Sequence, residues 1–299
     1  MIGFPLPGRS AQESVAVTRV RPGEQQAGQD WVAREQALQL LVNGDPLAIL
    51  LRTPGQDVLL TLGLLHAEGL IKRLSDVSEV RLAPSGQADP DSLPLPVRLE
   101  PEAENLVDVQ LRQPLPEGAL GWQRALPSSS ACGICGKATL EALQAVQPRV
   151  SGERSWSLET LLGLPQRLLE AQRTFHATGG LHAAGLLGAD DEELEVAEDV
   201  GRHNAVDKLV GSSLLRERLP LRDHCLVVSG RAGFEIVQKA AAAGIGLLAS
   251  ISAPSSLAVQ AADATGVTLV GFLREGRCNV YTHPKRVRLG ERSSAEAAP

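Results

Sequence analysis

The pattern of apolar and polar positions in the first third of the chain predicts short strands packed around one helix. Leucines recur at helical spacing between Asp57, the expected N-cap, and Gly69, the expected stop of that helix. Asn43-Gly44 is typical of a tight hairpin turn and separates two of the predicted strands. The strands are predicted over 15–20, 37–42, 47–52, 97–99 and 106–111. These elements predict a small N-terminal α+β domain over residues 15–115.

From residue 157 onward the apolar pattern changes to a regular alternation of helices and strands. Helices are predicted over 165–174, 203–215, 234–243 and 255–264. Strands are predicted over 183–187, 194–198, 226–229, 247–251 and 268–273, with a last extended piece over 278–281. Strands that alternate with helices of about ten residues are typical of a largely parallel sheet that is covered on both faces. The sequence therefore predicts an α/β domain over residues 151–288.

Three segments lack this periodicity. Residues 1–14 and the Ser-, Ala- and Glu-rich tail 289–299 are predicted to be disordered. Residues 116–150 are predicted to be a linker that carries a cysteine motif and ends in a helix-like segment.

Composition and charge exclude several classes of protein. The chain of 299 residues is 43% hydrophobic and 21% charged, which is ordinary for a globular protein. A net charge of −6 argues against a whole-molecule attraction to nucleic acid or to an anionic membrane. The start of the chain lacks the pattern of a signal peptide, and the longest uncharged run, 240–253, is too short to span a bilayer. Because the four cysteines form no disulfide framework, we expect a cytoplasmic protein.

The linker holds two thiols three positions apart, Cys132 and Cys135, at the predicted start of a helix. The partial positive charge of free backbone N–H groups at a helix N-terminus favours thiolate over thiol, and Lys137 adds a nearby cation. Gly133 and Gly136 let the backbone come close to whatever the sulfurs touch. This arrangement favours an exposed, nucleophilic sulfur over a buried one.

Three interpretations of this pair remain open from the residues alone: a loop with incidental cysteines, half of a zinc site, and redox or sulfur-transfer chemistry. A zinc site needs further ligands, but Cys225 and Cys278 each lie alone in apolar runs. A zinc nucleobase deaminase needs His-x-Glu before Pro-Cys-x-x-Cys. His66-Ala67-Glu68 lies far upstream, and Pro127 is not adjacent to Cys132. We therefore expect no zinc.

Polar residues recur at the ends of successive predicted strands. In a doubly wound sheet, ligands bind beyond the carboxyl ends of the strands. Glycines, hydroxyls and arginines there are typical of a phosphate-binding site, although each glycine-rich loop by itself is often only a tight turn. A nucleotide-like anion is therefore the expected ligand. Asp207 and Lys208 are either pocket residues or a solvated pair. The candidate binding residues are Thr178, Gly179, His182, Arg202, His203, Ser229, Arg231 and Ser252.

Three motifs together resemble one family. They are Ala-Cys-Gly-Ile-Cys-Gly at 131–136, Glu-Asp-Val-Gly-Arg-His-Asn-Ala-Val-Asp-Lys at 198–208, and the stretch from Val-Gly-Phe at 270–272 to Val-Tyr-Thr-His-Pro at 280–284. In this order they resemble the formate dehydrogenase accessory sulfurtransferases, the FdhD family, over about residues 41–283. The resemblance implies a three-layer, cytidine deaminase-like C-terminal domain with a mixed or parallel sheet, without the zinc or the activity of a deaminase.

The resemblance also implies a reaction. A cysteine desulfurase would pass sulfur to Cys132 as a persulfide, with Cys135 assisting or relaying. The sulfur would then go to the bis-molybdopterin guanine dinucleotide form of the molybdenum cofactor (bis-MGD), as formate dehydrogenase requires. The family further implies a homodimer. The stretch that matches the family's cofactor-binding segment comprises Phe272, Leu273, Arg274, Glu275, Gly276 and Arg277.

Two positions depart from the family pattern, and two other functions stay open. Ala197 stands where relatives carry a basic residue or His, and Gly230 stands where relatives carry Ser. One alternative is a cofactor-binding chaperone of formate dehydrogenase whose cysteines are incidental. The other is a thiol–disulfide oxidoreductase with a reversible bond between Cys132 and Cys135.

Overall fold

The computed structural model describes residues 11–83, 93–115, 149–188, 190–274 and 276–289. Cys132, Cys135 and Glu275, three of the predicted site residues, lie outside the described residues. The domain boundaries proposed above stay a prediction, apart from one end: the first strand begins at Gln12, inside the segment expected to be disordered.

Among its described residues, the N-terminal part contains two sheets and one α-helix. Its strands are β1 (Gln12–Arg21), β2 (Glu24–Ala33), β3 (Gln36–Val42), β4 (Asp45–Arg52), β5 (Val77–Leu82), β6 (Val97–Leu99) and β7 (Leu106–Leu111), and its helix is α1 (Asp57–Ala67). Strands β1 and β2 form a separate antiparallel hairpin, and the other five form a mixed sheet in the order β4-β3-β7-β5-β6. The predicted hairpin turn is confirmed, since Asn43 and Gly44 both have positive φ, 54° and 86°.

Helix α1 is the core of this part. Every residue of α1 except His66 is buried, because the helix lies between the five-stranded sheet and the rest of the molecule. The expected stop at Gly69 is confirmed by its φ of +73°, which favours glycine. The expected N-cap is wrong. Gln56 is the capping position, and Asp57 is the first helical residue, whose carboxylate instead binds the buried guanidinium of Arg52 at 2.7 Å.

The C-terminal part has eight strands and five helices among its described residues. The strands are β8 (Trp156–Ser157), β9 (His182–Leu187), β10 (Leu194–Asp199), β11 (Cys225–Val228), β12 (Leu247–Ser250), β13 (Thr268–Arg274), β14 (Arg277–Val280) and β15 (Val287–Arg288). The helices are α2 (Leu158–Ala171), α3 (Arg173–Thr178), α4 (Arg202–Leu215), α5 (Phe234–Ala242) and α6 (Ser256–Thr265). Short 3₁₀ turns cover Leu74–Asp76 and Pro284–Arg286.

The main sheet is mixed, so the expectation of a largely parallel sheet is wrong. Its order is β10-β9-β11-β12-β13-β14, and only β11 with β12 and β12 with β13 are parallel pairs. The other three pairs are antiparallel. The described residues between β9 and β10 and between β13 and β14 form no helix, and neighbouring strands joined by a short turn must run in opposite directions.

Both faces of this sheet are covered, which gives three layers. Leu226 and Val228 of β11 face a core formed with helices α4, α5 and α6. The alternate residues Cys225 and Val227 face the other side, where α2 and Trp156 pack. Because both faces of β11 are covered, all four of its residues are apolar and buried, which explains the continuous apolar run in the sequence.

Helices α1 and α4 hold the two parts together through two glycines. A Cβ atom on Gly63 would lie 1.9 Å from the backbone oxygen of Asp207, and one on Gly211 would lie 1.9 Å from that of Leu59. Only glycine permits such a close approach of two helices. As a result, the loop that follows β4 meets the loop that follows β10, at one edge of the main sheet.

Candidate functional site

One edge of the main sheet brings together candidate residues from three strands. Because β9 is antiparallel to both neighbours, its first residue, His182, lies beside Asp199 at the end of β10 and near the end of β11. The hydroxyl of Ser229 accepts a hydrogen bond from the backbone N–H of Ala183 at 2.9 Å. A Cβ atom on Gly230 would lie 3.4 Å from His182 Nδ1 and 3.7 Å from Arg202 Cδ. His182, Arg202, Ser229 and Gly230 therefore form one cluster.

The loops after β11 and β12 are tied to a bulge in β13. Ser250 Oγ lies 2.8 Å from the carbonyl oxygen of Gly230 and 3.0 Å from that of Ser252. The carbonyl of Ser252 also accepts the backbone N–H of Phe272 at 3.0 Å. These bonds place Ser252 and Phe272 at the same edge as the His182 cluster.

The bulge holds Phe272 in a strained conformation. Its φ is +52°, which is uncommon for an aromatic residue, and the pairing of β13 with β14 shifts between Gly271 and Arg274. The Arg274 guanidinium carbon lies 5.8 Å from the centre of the Phe272 ring. Leu273, by contrast, is fully buried in the core, so its side chain takes no part in the edge. Gly276 and Arg277 continue the turn into β14.

Helix α3 brings Thr178 and Gly179 to this edge. Both carboxylate oxygens of Glu198 accept backbone N–H groups at the start of α3, from Thr174 at 3.0 Å and from Phe175 at 2.7 Å. Thr178 ends the helix and donates its hydroxyl to the carbonyl of Thr174, and Gly179 caps it with φ +69°. The buried carboxylate of Glu198 thus sets the direction in which α3 meets the sheet.

His203 and Arg231 are placed differently. His203 Nε2 lies 3.0 Å from a carboxylate oxygen of Glu235, in the first turn of α5. This contact joins the starts of α4 and α5, neither of which has a side-chain cap. Arg231 is exposed on the loop between β11 and α5. Glu235 was missed in the sequence because a single acidic residue at a helix start is common.

Lys208 is neither a pocket residue nor a solvated one. Its Nζ lies 2.7 Å from Asp199 Oδ2, and both side chains are fully buried. The same ammonium donates to the carbonyl oxygens of Thr53 and Glu198, each at 3.1 Å. Asp207 is also buried and binds Lys239 Nζ at 2.7 Å.

Asp199 organises the rest of this loop. Its carboxylate accepts the backbone N–H groups of Thr53 and Gly201 and the side-chain amide of Asn204, at 2.8–3.1 Å. Asn204 also donates to the carbonyl of Leu51. The motif 198–208 is therefore mainly a buried scaffold that presents the side chains of Arg202 and His203. Thr53 was missed because nothing near it in the sequence links it to residue 199.

Burial and two charged neighbours shift the pKa of His182. Burial, and then the positive charge of Arg202, lower the pKa of His182, while Asp199 opposes the shift. Arg202 Nε is buried and has no hydrogen-bond partner among the described residues. Burial raises the pKa of Asp207 to about 6, although Lys239 opposes it. A site with an unsatisfied guanidinium nitrogen, hydroxyls and helix starts suits an anion.

The described cysteines do not suit nucleophilic chemistry. Cys225 is fully buried, and Cys278 is partly buried. Burial raises the pKa of both thiols, which disfavours the reactive thiolate. Within the described ranges, no group of three His, Cys, Asp or Glu side chains could hold a metal ion. No helix in the described parts of the chain is long and apolar enough to cross a membrane.

Comparison with known proteins gives a consistent relationship over most of the chain. The model of the FdhD/NarQ family matches residues 33–288. The Sulfur carrier protein FdhD of Sulfolobus acidocaldarius is 40% identical over 275 residues, which cover 92% of this chain and 98% of that protein. The protein of the same name from Mycolicibacterium paratuberculosis is 43% identical, with 91% and 97% covered.

A solved structure has the same fold. It is a provisionally assigned formate dehydrogenase accessory protein from Desulfotalea psychrophila, with a TM-score of 0.69 and 23% sequence identity. The match covers 93% of this chain and all of that one. The family match over 33–288 and relatives at 40–43% identity lead to one conclusion: the chain belongs to the FdhD/NarQ family.

Proposed function

We propose that this protein is a sulfur carrier that serves formate dehydrogenase, acting as a sulfurtransferase between a cysteine desulfurase and bis-MGD. Its relatives are named Sulfur carrier protein FdhD, and the fold is that of a formate dehydrogenase accessory protein. The observation that carries the proposal is the cluster of His182, Arg202, Ser229 and Gly230 at one edge of the sheet. This edge suits the pyrophosphate of a nucleotide-type acceptor.

The sulfur would travel on Cys132. Its thiolate attacks the terminal sulfur of a persulfide on the desulfurase, so that a new S–S bond forms while the donor cysteine leaves as a thiolate. When the terminal sulfur moves on, the electron pair of the S–S bond stays with Cys132. The transferred sulfur atom is reduced to sulfide by two electrons from the acceptor, which is oxidised in the same step. Cys135, three residues away, would assist or relay. Cys225 is fully buried and Cys278 is partly buried, and burial raises the pKa of both thiols, so neither suits this role.

The acceptor bis-MGD is treated as a substrate, and the edge fits its anionic part. Arg202 supplies a buried Nε without a partner among the described residues, and the absence of a side chain at Gly230 leaves space next to the His182 ring. Arg274, stacked near Phe272, adds a second guanidinium at the bulge. Guanidinium groups bind phosphate oxygens in a bidentate manner. These residues would bind and orient the acceptor while Cys132 delivers the sulfur.

The proposal includes partners and a compartment. A cysteine desulfurase would donate the sulfur and formate dehydrogenase would receive the finished cofactor. The carrier would act as a homodimer in the cytoplasm, where free thiols persist.

Mass spectrometry of the intact protein tests the proposal directly. The protein is incubated with a cysteine desulfurase and cysteine, and then analysed with and without reductant. We expect the wild type and the matched control Cys278→Ser to gain one sulfur atom that reductant removes, and Cys132→Ala to gain none. Activation of formate dehydrogenase by Cys132→Ala at the wild-type level would instead support a chaperone. A Cys132–Cys135 disulfide without any sulfur gain would support an oxidoreductase.

A further inference from the structure

The β1–β2 hairpin reaches the candidate site from the N-terminal part. Strand β2 packs beside helix α3, at the point where α3 leads into β9. The Cβ atom of Ala33, the last residue of β2, is 3.5 Å from the position that a Cβ on Gly180 would take. Gly180 is two residues before His182. The end of the hairpin therefore contacts the segment that leads into the His182 cluster.

Trp31 lies on the same face of β2 as Ala33. Residues two apart in a strand share a face, so Trp31 lies on the face that contacts Gly180, about 7 Å further along β2. Trp31 is 50% exposed. Its cross-strand neighbour is Ser14, which is too small to cover the ring. The whole chain has only three Trp, one Tyr and four Phe, so a half-exposed Trp next to a site is conspicuous.

We infer that Trp31 is a stacking platform for the planar heterocycle of a nucleotide-type ligand. This inference rests on the proposed function, in which the phosphates of that ligand bind at the His182 and Arg202 edge. An indole offers a large flat face, and base–aromatic stacking tolerates any heterocycle of suitable size. The phosphate end of such a ligand meets positive charge at Arg202, and its ring meets an exposed apolar surface. The juxtaposition of the two surfaces matches the two chemical halves of a nucleotide.

An interface with a second copy of the chain is the competing explanation for an exposed Trp. The neighbours of Trp31 on its face favour a small ligand, because Ser14, Ala16 and Gln29 are small or polar. The other large apolar residue on that face, Val20, lies at the opposite end of the hairpin. Protein interfaces concentrate several large apolar anchors at their centre, which this face lacks.

Guanosine diphosphate is a suitable probe, since it carries both a purine and a pyrophosphate. Its Kd is measured by calorimetry with the full chain and with Trp31→Ala and Trp31→Phe. We expect Trp31→Ala to weaken binding by about tenfold and Trp31→Phe, which keeps an aromatic face, to lose much less. The ligand should also quench the fluorescence of Trp31. Trp31→Phe should abolish that quenching, whereas Val32→Ala, on the opposite face of β2, is the matched control and should retain it. Trp156 is buried and remains in all variants.

The possible outcomes separate this inference from the function on which it rests. Equal Kd values for Trp31→Ala and wild type would overturn the stacking role alone. If that variant also shifted the protein towards monomer in sedimentation velocity, Trp31 would belong to an interface between copies. Absence of any binding by the wild type would overturn both the nucleotide-type ligand and its platform. Far-UV circular dichroism shows whether Trp31→Ala is folded. If it is not, Trp31→Phe tests the stacking role instead: loss of the ligand-induced quenching supports it, and retention of the quenching overturns it.

Discussion

Lys208 and Asp199 form an ion pair without solvent exposure, with 2.7 Å between Nζ and Oδ2. The pair is fully hydrogen-bonded, since Lys208 donates to two backbone carbonyls and Asp199 accepts from Thr53, Gly201 and Asn204. Thr53 follows β4 in the N-terminal part, whereas the other partners belong to the C-terminal part. The pair therefore joins the two parts of the molecule.

Removing the cation should strongly destabilise the fold. Lys208→Met keeps most of the side-chain volume but leaves the buried charge of Asp199 uncompensated, which costs about 3–5 kcal/mol. Urea unfolding at neutral pH measures the change. Lys285→Met, at an exposed lysine, is the control and should change the free energy of unfolding by less than about 0.5 kcal/mol. Similar values for the two variants would show that the buried pair is not critical.

The crossing of α1 and α4 gives a second prediction. Gly63→Ala would place a methyl group 1.9 Å from a backbone oxygen of α4, so the helices must separate and the protein should lose about 3 kcal/mol or more. Gly163→Ala in α2 is the matched control. A Cβ there meets no described atom within 4 Å, and alanine is the better helix former by about 1 kcal/mol. Thermal unfolding should therefore show opposite signs for the two substitutions, and a stabilising Gly63→Ala would contradict the close crossing.

Local signals in the sequence predicted much of the fold. Asn43-Gly44 and Gly69 act through their own backbone conformations, so their roles can be read without the rest of the molecule. Strand β2 was not predicted, because Glu24–Ala33 is mostly polar and exposed and gives no apolar alternation. Its pairing with β1, rather than burial, makes it a strand.

The candidate site was predicted only in outline. Strand ends indicated His182, Arg202, Ser229 and Ser252, and the structure places them at one edge. The environment of Lys208 could not be predicted, because its partner Thr53 is 155 residues away in the chain. In a sequence, two adjacent charged residues of a helix are typical of a solvated pair. Only the distant partners in the folded protein show that Lys208 is buried.

Arg202 gives a third prediction, on ligand binding. Arg202→Ala should weaken the binding of guanosine diphosphate by about tenfold or more, because a charge-assisted hydrogen bond to phosphate is lost. Arg202→Lys should recover part of the affinity, since it keeps the charge but not the planar fork. Arg288→Ala, at an exposed arginine of β15, is the control. If calorimetry gave the same Kd for Arg202→Ala and Arg288→Ala, the phosphate would bind elsewhere.

The lowered pKa of His182 predicts a pH-dependent affinity. Burial and Arg202 keep the imidazole neutral at pH 7, with its pKa below the usual 6.5. A bound anion favours the imidazolium, so ligand binding takes up a proton and should tighten as the pH falls below about 6.5. His182→Gln removes this titration and should flatten the response relative to the wild type. The phosphate of the ligand also titrates near pH 6 in every variant, so the difference between variants is the quantity to measure.

The control for this experiment is His224→Gln. His224 precedes β11 at the opposite end of the sheet, and its pKa is also lowered by burial, with Arg218 adding to the shift. The variant should keep the wild-type pH response of Kd. Because the folded-state pKa of His182 is lowered, the unfolded chain binds more protons and stability falls as the pH drops through about 6.5. The folded fraction is therefore checked at each pH by circular dichroism. An identical pH dependence of Kd in wild type and His182→Gln would place the anion away from His182.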